Sequence, residues 1–306
     1  MNLQEWALVV FTILAQMSVG SFLVLGIVHF FAARVAGAEE ADRLSDRALL
    51  AIGPVLVLAM LASLWHLGNP LNAPRAVTNL GTSWLSREIF SGVLFAVSGA
   101  VFAIMQWRKI GSFAVRNAAA WIAAIIGVAF VVSMSMIYML PTQPAWNTIV
   151  TPLSFLTTTA LLGLFATGAA FVTNYAYVRR VNPDCADVQC GLLRSSLRWI
   201  AALAVVLLGV ELVALPLHLG YLSTGSSAAV ASANLLIQDY GLLLGLRIAL
   251  VFVGAGILGF FIYQNASSSG REQLLGTLAY SAFVLVFVAE VMGRFLFYAS
   301  QVGIGV

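Results

Sequence analysis

The chain has 306 residues, of which 61% are hydrophobic and only 9% charged. A water-soluble domain carries roughly 25% charged residues, so this chain has too little charge to cover a solvent-facing surface. The formal net charge of +3 does not point to nucleic acid, because the basic residues stand singly between apolar runs rather than on one face. Two cysteines, Cys185 and Cys190, exclude a disulfide framework and fall short of the four thiolates of an iron–sulfur cluster.

A helix needs about 20 apolar residues to cross the hydrocarbon. Residues 1–5 carry no basic side chain, and the apolar run 6–33 is too long for a signal-peptide core, so it reads as a retained first helix. Seven further runs follow, at roughly 48–66, 88–107, 118–140, 152–177, 197–217, 241–263 and 274–298. The spacers are short and carry turn residues, among them Gly68-Asn69-Pro70, Pro141 with Pro144, and Asn182-Pro183. The pattern predicts an all-α, polytopic integral membrane protein of eight transmembrane helices, forming one domain over 1–306.

Charge orients these helices. Alternate spacers, beginning with the first, hold Arg34, Arg43, Arg47, Arg108, Lys109, Arg116, Arg179, Arg180, Arg194, Arg198 and Arg271. The remaining spacers hold only Arg75 and Arg87, while Arg247 and Arg294 fall inside helices. Cytoplasmic loops collect Lys and Arg, which places the first set inside the cell and both termini on the outer face of a bacterial inner membrane. His66-Leu67-Gly68 and His218-Leu219-Gly220 end the second and sixth runs. This echo suits a parallel four-plus-four repeat.

Ionisable residues at membrane depth are costly and therefore functional candidates. Toward the outer surface the sequence places His66 at the end of the second helix, Glu88 at the start of the third, and Arg75 and Arg87 between them. Glu211 and His218 are seven apart and share a face of the sixth helix. Asp239 precedes the seventh helix, and Arg247 lies about two turns inside it. Glu290 and Arg294 are four apart on the eighth, the spacing of an intrahelical ion pair. The plainer readings are structural: Glu290 with Arg294 as a self-neutralising pair, Arg247 satisfied by Glu211 or Asp239, and His29 as a packing histidine near the inner face.

Oxidation of a membrane quinol releases two electrons and two protons, and the outer cluster suits that chemistry. Histidine titrates near neutral pH, a half-buried Glu can be raised toward it, and arginine can hold a ring oxygen. Trp65 and Trp84 are placed to wall a flat ring or to anchor the interface.

At these residues the chain resembles a known family. The stretch Ser63-Leu64-Trp65-His66-Leu67-Gly68-Asn69-Pro70, with Arg75, Asn79 and Leu85-Ser86-Arg87-Glu88-Ile89, is similar to the membrane anchor subunit of bacterial dimethyl sulfoxide reductase. So are Pro144-Ala145-Trp146 with Thr151-Pro152, Asp239-Tyr240-Gly241 with Arg247-Ile248, and Glu290-Val291-Met292-Gly293-Arg294 with Phe297-Tyr298. The likeness runs in order from the first helix to the last, with a departure at Met136, where a family member can carry Arg. The resemblance implies eight helices, both termini outside, and no haem, iron–sulfur cluster or molybdopterin in this chain. It also implies oxidation of menaquinol from the quinone pool, with electrons passing to a four-cluster iron–sulfur subunit that feeds a molybdopterin catalytic subunit. His66 and Glu88 are then the expected catalytic pair, with Arg75, Arg87, Trp65 and Asn79 binding the quinol. Glu211, His218, Asp239, Arg247, Glu290 and Arg294 form a second set.

Three rival readings compete. A b-type cytochrome anchor needs axial ligands, commonly His, and of the three histidines only His66 and His218 would lie at one face. A secondary transporter places its binding residues near the midplane on broken helices, whereas here they gather toward one end. A proton-pumping anchor needs a polar path through the inner half, which reads as apolar.

Overall fold

The computed structural model describes residues 3–66, 75, 77–181, 188–268 and 271–304, and their regular structure is all helical. Eight of these helices are long and apolar enough to cross a membrane. They are α1 (Leu3–Ala36), α2 (Ala38–His66), α3 (Trp84–Arg108), α4 (Phe113–Met136), α5 (Val150–Val181), α6 (Val188–Ser223), α8 (Gly241–Asn265) and α9 (Glu272–Ala299). A short helix, α7 (Ser227–Asn234), lies between α6 and α8. Eight crossings bring both termini to one end of the bundle, the terminal face; the other end is the opposite face.

Several helices outrun their hydropathy. Apolar content marks where a helix meets lipid, not where its hydrogen bonding stops. α2 begins at Ala38, ten residues before the apolar run at 48. Its first turns are polar but good helix formers, with Glu39 and Glu40 at the positive end of the helix dipole. Arg43 bridges back to both, at 2.8 and 3.2 Å. Gly37, at φ +91°, is the one residue separating α1 from α2, and only glycine adopts that backbone cheaply. α6 extends to Ser223, so His218 lies inside it, whereas His66 is the last residue of α2. α4 stops at Met136 rather than 140, where tight turns over 137–140 lead into Pro141. Within α8, Phe252–Leu258 widens to a π-helical turn. Cys190 is buried and disulfide-bonded; Cys185 lies outside the described residues.

α1 and α5 run through the middle of the bundle, and they meet backbone to backbone. A Cβ on Gly20 would overlap the carbonyl of Thr159, and one on Gly163 would overlap the backbone of Gly20. Lipid tails give no hydrophobic drive between helices, so small residues that allow such approach carry the association. α3 and α4 interlock more gently: Phe95 packs into the space at Gly127, and Phe130 into the space at Gly92.

The opposite face is tied by a charged cluster spanning α2, α3 and α4. Asp42 accepts from Gln106 at 2.6 Å, Lys109 at 2.8 Å and Arg116 at 3.1 Å. Asp46 accepts from the same Gln106 and Lys109 at 2.7 and 2.8 Å. His29 joins it, with Nδ1 3.1 Å from Ser45 Oγ and its ring stacked on Phe113. It belongs to a polar cluster rather than to simple apolar packing.

Gly163→Leu is expected to break the α1–α5 crossing. Overpacking of a tight core costs about 1–3 kcal/mol or more, read as a lowered thermal denaturation midpoint of the detergent-solubilised protein. Gly26→Ala, with open space around its Cβ, serves as the control. Equal midpoints for the two variants would refute the crossing.

Candidate functional site

Ser83 begins the local construction by capping α3, its side chain accepting from Ser86 N–H. Downstream, Ser86 is buried in the first turn, and Glu88, Ser91, Gly92 and Phe95 are buried after it, the last four spaced as one inward stripe. Glu88 is thereby carried inside, 7% exposed, while its neighbour Arg87 turns the other way. Arg87 donates from Nε to the carbonyl of Leu80 at 2.8 Å and from Nη2 to that of Gly81 at 2.7 Å, and it stacks over Trp84. Its guanidinium therefore organises the loop ahead of α3. Trp65 is 73% exposed, and Arg75 and Asn79 are exposed as well. The side chain of His66 lies outside the described residues. Among the described members of the expected outer cluster, Glu88 alone faces the interior.

The loop over 137–149 folds down onto α5 and α9 and closes this end of the bundle. Trp146 is buried, donates from Nε1 to the carbonyl of Phe297 at 2.8 Å and stacks on its ring. Tyr138 lies 2.9 Å, hydroxyl to hydroxyl, from Tyr298 and packs against Phe155 and Phe297. Burial, then the Tyr298 hydroxyl and the Glu88 carboxyl beside it, hold the Tyr138 phenol well above its ordinary pKa. It stays a neutral donor.

Arg294 stands behind that aromatic group. It is 4% exposed, stacks on Phe155 with 3.6 Å to the ring centroid, and donates from Nη2 to Gln16 Oε1 at 2.8 Å. Gln16 in turn donates to the carbonyl of Phe155 at 2.8 Å. The intrahelical Glu290–Arg294 ion pair expected from their spacing does not form. Glu290 instead accepts from Thr158 Oγ1 at 2.6 Å and faces Arg247 at 3.9 Å. Arg247 sits 3.3 Å from both oxygens of Glu211. Exposed Asp239 makes no ion pair with it among the described residues.

Glu211, His218, Arg247, Glu290 and Arg294, drawn from α6, α8 and α9, line one cavity of about 120 Å³. Thr158 of α5 completes the wall. The secondary set of ionisable residues is thus brought together by the fold, apart from Asp239. Gln16, Thr158, Tyr138 and Tyr298 were absent from the expected set. Their signal was modest: an amide inside an apolar first helix, and the triplet Thr157-Thr158-Thr159 in another. Among the described residues no cluster of three or more His, Cys, Asp or Glu is arranged to hold a metal ion.

Arg247 passes so close to α9 that a Cβ at Gly293 would overlap its Nε. Gly293→Ala should push Arg247 off Glu211 and leave a buried carboxylate poorly paired, at a cost of about 3–5 kcal/mol if the pairing is lost entirely. A double variant with Arg247→Met should be less destabilised than the sum of the two changes, because the methionine relieves the clash. Strict additivity in thermal stability would show that Gly293 does not act through Arg247.

The profile of the family described as DMSO reductase anchor subunit (DmsC) matches residues 1–300. The chain is 29% identical over 305 residues to the YnfH subunit of an anaerobic dimethyl sulfoxide reductase of Escherichia coli (strain K12), covering 98% of this protein and 96% of that one. It is 29% identical over 307 residues to the C subunit of anaerobic dimethyl sulfoxide reductase from the same strain, with the same coverage. The corresponding C subunit of Haemophilus influenzae is 26% identical over 307 residues, covering 99% and 97%. A matched profile that runs from the first helix to the end of α9, on a bundle of eight apolar helices, places this protein in the DMSO reductase anchor subunit (DmsC) family.

Proposed function

We propose that this membrane anchor subunit oxidises menaquinol at the terminal face and passes the electrons to an iron–sulfur subunit. That subunit would feed a molybdopterin catalytic subunit, as expected of an anaerobic dimethyl sulfoxide reductase complex. The observation that carries the reading is Glu88, a buried carboxyl at the first turn of α3. Two turns further along the same stripe, Phe95 lines an apolar crevice of about 560 Å³ between α2 and α3. The crevice also takes in Leu50, Val57, Leu61 and Leu64, which are exposed on the bundle surface and so face lipid. A quinol is a polar ring on a long isoprenoid tail. The crevice would take the tail between α2 and α3, with Glu88 two turns beyond Phe95 rather than in its lining; the other end of the crevice reaches Asp46, Arg47 and Gln106.

In this reading His66 and Glu88 take protons from the quinol hydroxyls. His66 ends α2, where the negative end of the helix dipole favours its charged form after transfer. Glu88 opens α3 at the terminal end of that helix, the end from which its proton would be released. Arg75, Asn79 and Trp65 would stand at the entrance. Arg87 would hold the loop that carries Asn79, since its guanidinium is engaged by the carbonyls of Leu80 and Gly81.

His66→Ala and Glu88→Gln should each slow quinol-dependent turnover by about 10²–10⁴-fold, the usual worth of a positioned general base. Turnover driven by a dye that reduces the partner subunits directly should be unchanged in the same membranes. Near-normal quinol turnover in both variants would remove the outer pair from the mechanism.

The charge bias sets the terminal face outside, with the partner subunits docked there. With Cys185 and Cys190 replaced, a single cysteine at Ser226 should react with an impermeant reagent on intact cells and be shielded when the partners are co-expressed. A cysteine at Ser268 should not react in either case. Labelling at Ser268 but not at Ser226 would reverse the orientation.

A further inference from the structure

The 120 Å³ cavity between α5, α6, α8 and α9 is lined by four residues that each carry a buried side-chain atom with no hydrogen-bond partner. The atoms are His218 Nδ1, Arg247 Nε, Glu290 Oε1 and Arg294 Nε, each shut off from the surface. Glu290 is 1% exposed and Arg294 4%. A buried polar atom left unpaired costs about 1–3 kcal/mol, and four around one space are not accounted for by the ion pairs present. Arg247 contacts Glu211 through Nη2 alone, and Glu290 Oε1 is 3.9 Å from that same nitrogen, beyond hydrogen-bond length. A cavity larger than about 10–15 Å³ with several polar groups on its wall can hold water, and this one, of about 120 Å³, has room for several molecules.

The ionisable lining also has a direction. Glu290, Arg247 and Glu211 meet in the interior, while His218 lies two turns from Glu211 toward the terminal face, on the same face of α6. His218 is only half-buried, so the series ends at the rim. On α9, Arg294 is one turn from Glu290, also toward the terminal face. It is also within electrostatic reach of the Tyr138 and Tyr298 hydroxyls, which feel Glu88 as well.

We propose that this cavity is a hydrated proton-accepting site, in which Glu290 takes up a proton and returns it to the terminal face through water, Glu211 and His218. Oxidation of one quinol breaks two O–H bonds and yields a quinone, two electrons and two protons. The electrons leave to the iron–sulfur subunit, one proton is held at His66 or Glu88, and the other has its acceptor at Glu290. That destination rests on the quinol-oxidation reading; proton exchange in the cavity does not.

The groups facing Glu290 are Thr158 from α5, Glu211 and His218 from α6, Arg247 from α8 and Arg294 on its own helix. Thr158 holds Oε2 of Glu290 through its hydrogen bond, so Thr158→Val should change the carbonyl stretching frequency of the protonated Glu290 carboxyl.

Infrared difference spectra of the purified complex, taken across pH in H₂O and D₂O, test the proposal. A carboxylic-acid carbonyl band that titrates and shifts on deuteration is expected. It should persist in Glu88→Gln, vanish in Glu290→Gln, and shift in frequency in Thr158→Val, which removes the hydrogen bond to Oε2. If Glu290→Gln does not assemble, the Thr158→Val frequency shift decides alone. A band unaffected by either change, or no titrating band in the wild type beyond that of Glu88, would overturn the proposal and leave Glu211, Arg247 and Glu290 as a fixed ionic brace. Near-normal quinol turnover in both His66→Ala and Glu88→Gln alongside the expected spectra would instead remove the outer pair and leave the cavity standing.

Discussion

The contact between Gly20 of α1 and Gly163 of α5 sets the geometry on which the polar interior depends. Helices that touch without side chains between them fix each other's register closely. One turn from Gly20 on α1 is Gln16, and one turn from Thr159 on α5 is Phe155; the two are joined by the amide-to-carbonyl hydrogen bond. Gln16 then receives Arg294 of α9, and Thr158, beside the crossing, holds Glu290 of the same helix. The placement of α9, and with it the arginine and the carboxyl that face the cavity, follows from an approach that two missing side chains permit.

The bundle carries two polar centres, one near each end, and they differ in how completely they are satisfied. At the opposite face Asp42 takes three donors, and Gln106 serves both aspartates with its amide while accepting from Arg116. Such a network suits a clamp, because each aspartate is held by at least two donors from other helices or their ends. Toward the terminal face, four residues that line one cavity each carry a buried side-chain atom without a partner. Incomplete pairing is expensive in a low dielectric, and evolution tolerates it mainly where something must enter and leave. The contrast separates a brace from a working site more clearly than a count of charges does.

Much of this was legible in the amino-acid order itself. Hydropathy located all eight crossings, because lipid imposes the same requirement on every span. It misjudged the ends. Residues 38–47 are helical yet charged, and residues 137–140 are apolar yet turned, since helix and hydrocarbon do not begin at the same residue. Spacing along one helix brought Glu290 and Arg294 together on paper. It could not foresee that Gln16, 278 residues away from Arg294 in sequence, would claim the arginine, or that Thr158 would claim the acid. Adjacency in sequence likewise grouped Arg87 with Glu88, although consecutive helical residues point about 100° apart; one went to the loop and the other to the core. Side chains that share a helix were readable, and the partners supplied by distant helices were not.

The single residue between α1 and α2 has a consequence for how the protein enters its membrane. With Gly37 alone outside the helices, the two segments have no slack to be threaded one after the other and then brought together. The hairpin is short of loop and long in helix, so it is suited to partition into the bilayer as one unit, with α1 already against α2. The nascent polypeptide would thereby acquire a paired, self-shielding element before any later helix has been made, and α5 would find the Gly20 face of α1 waiting for it.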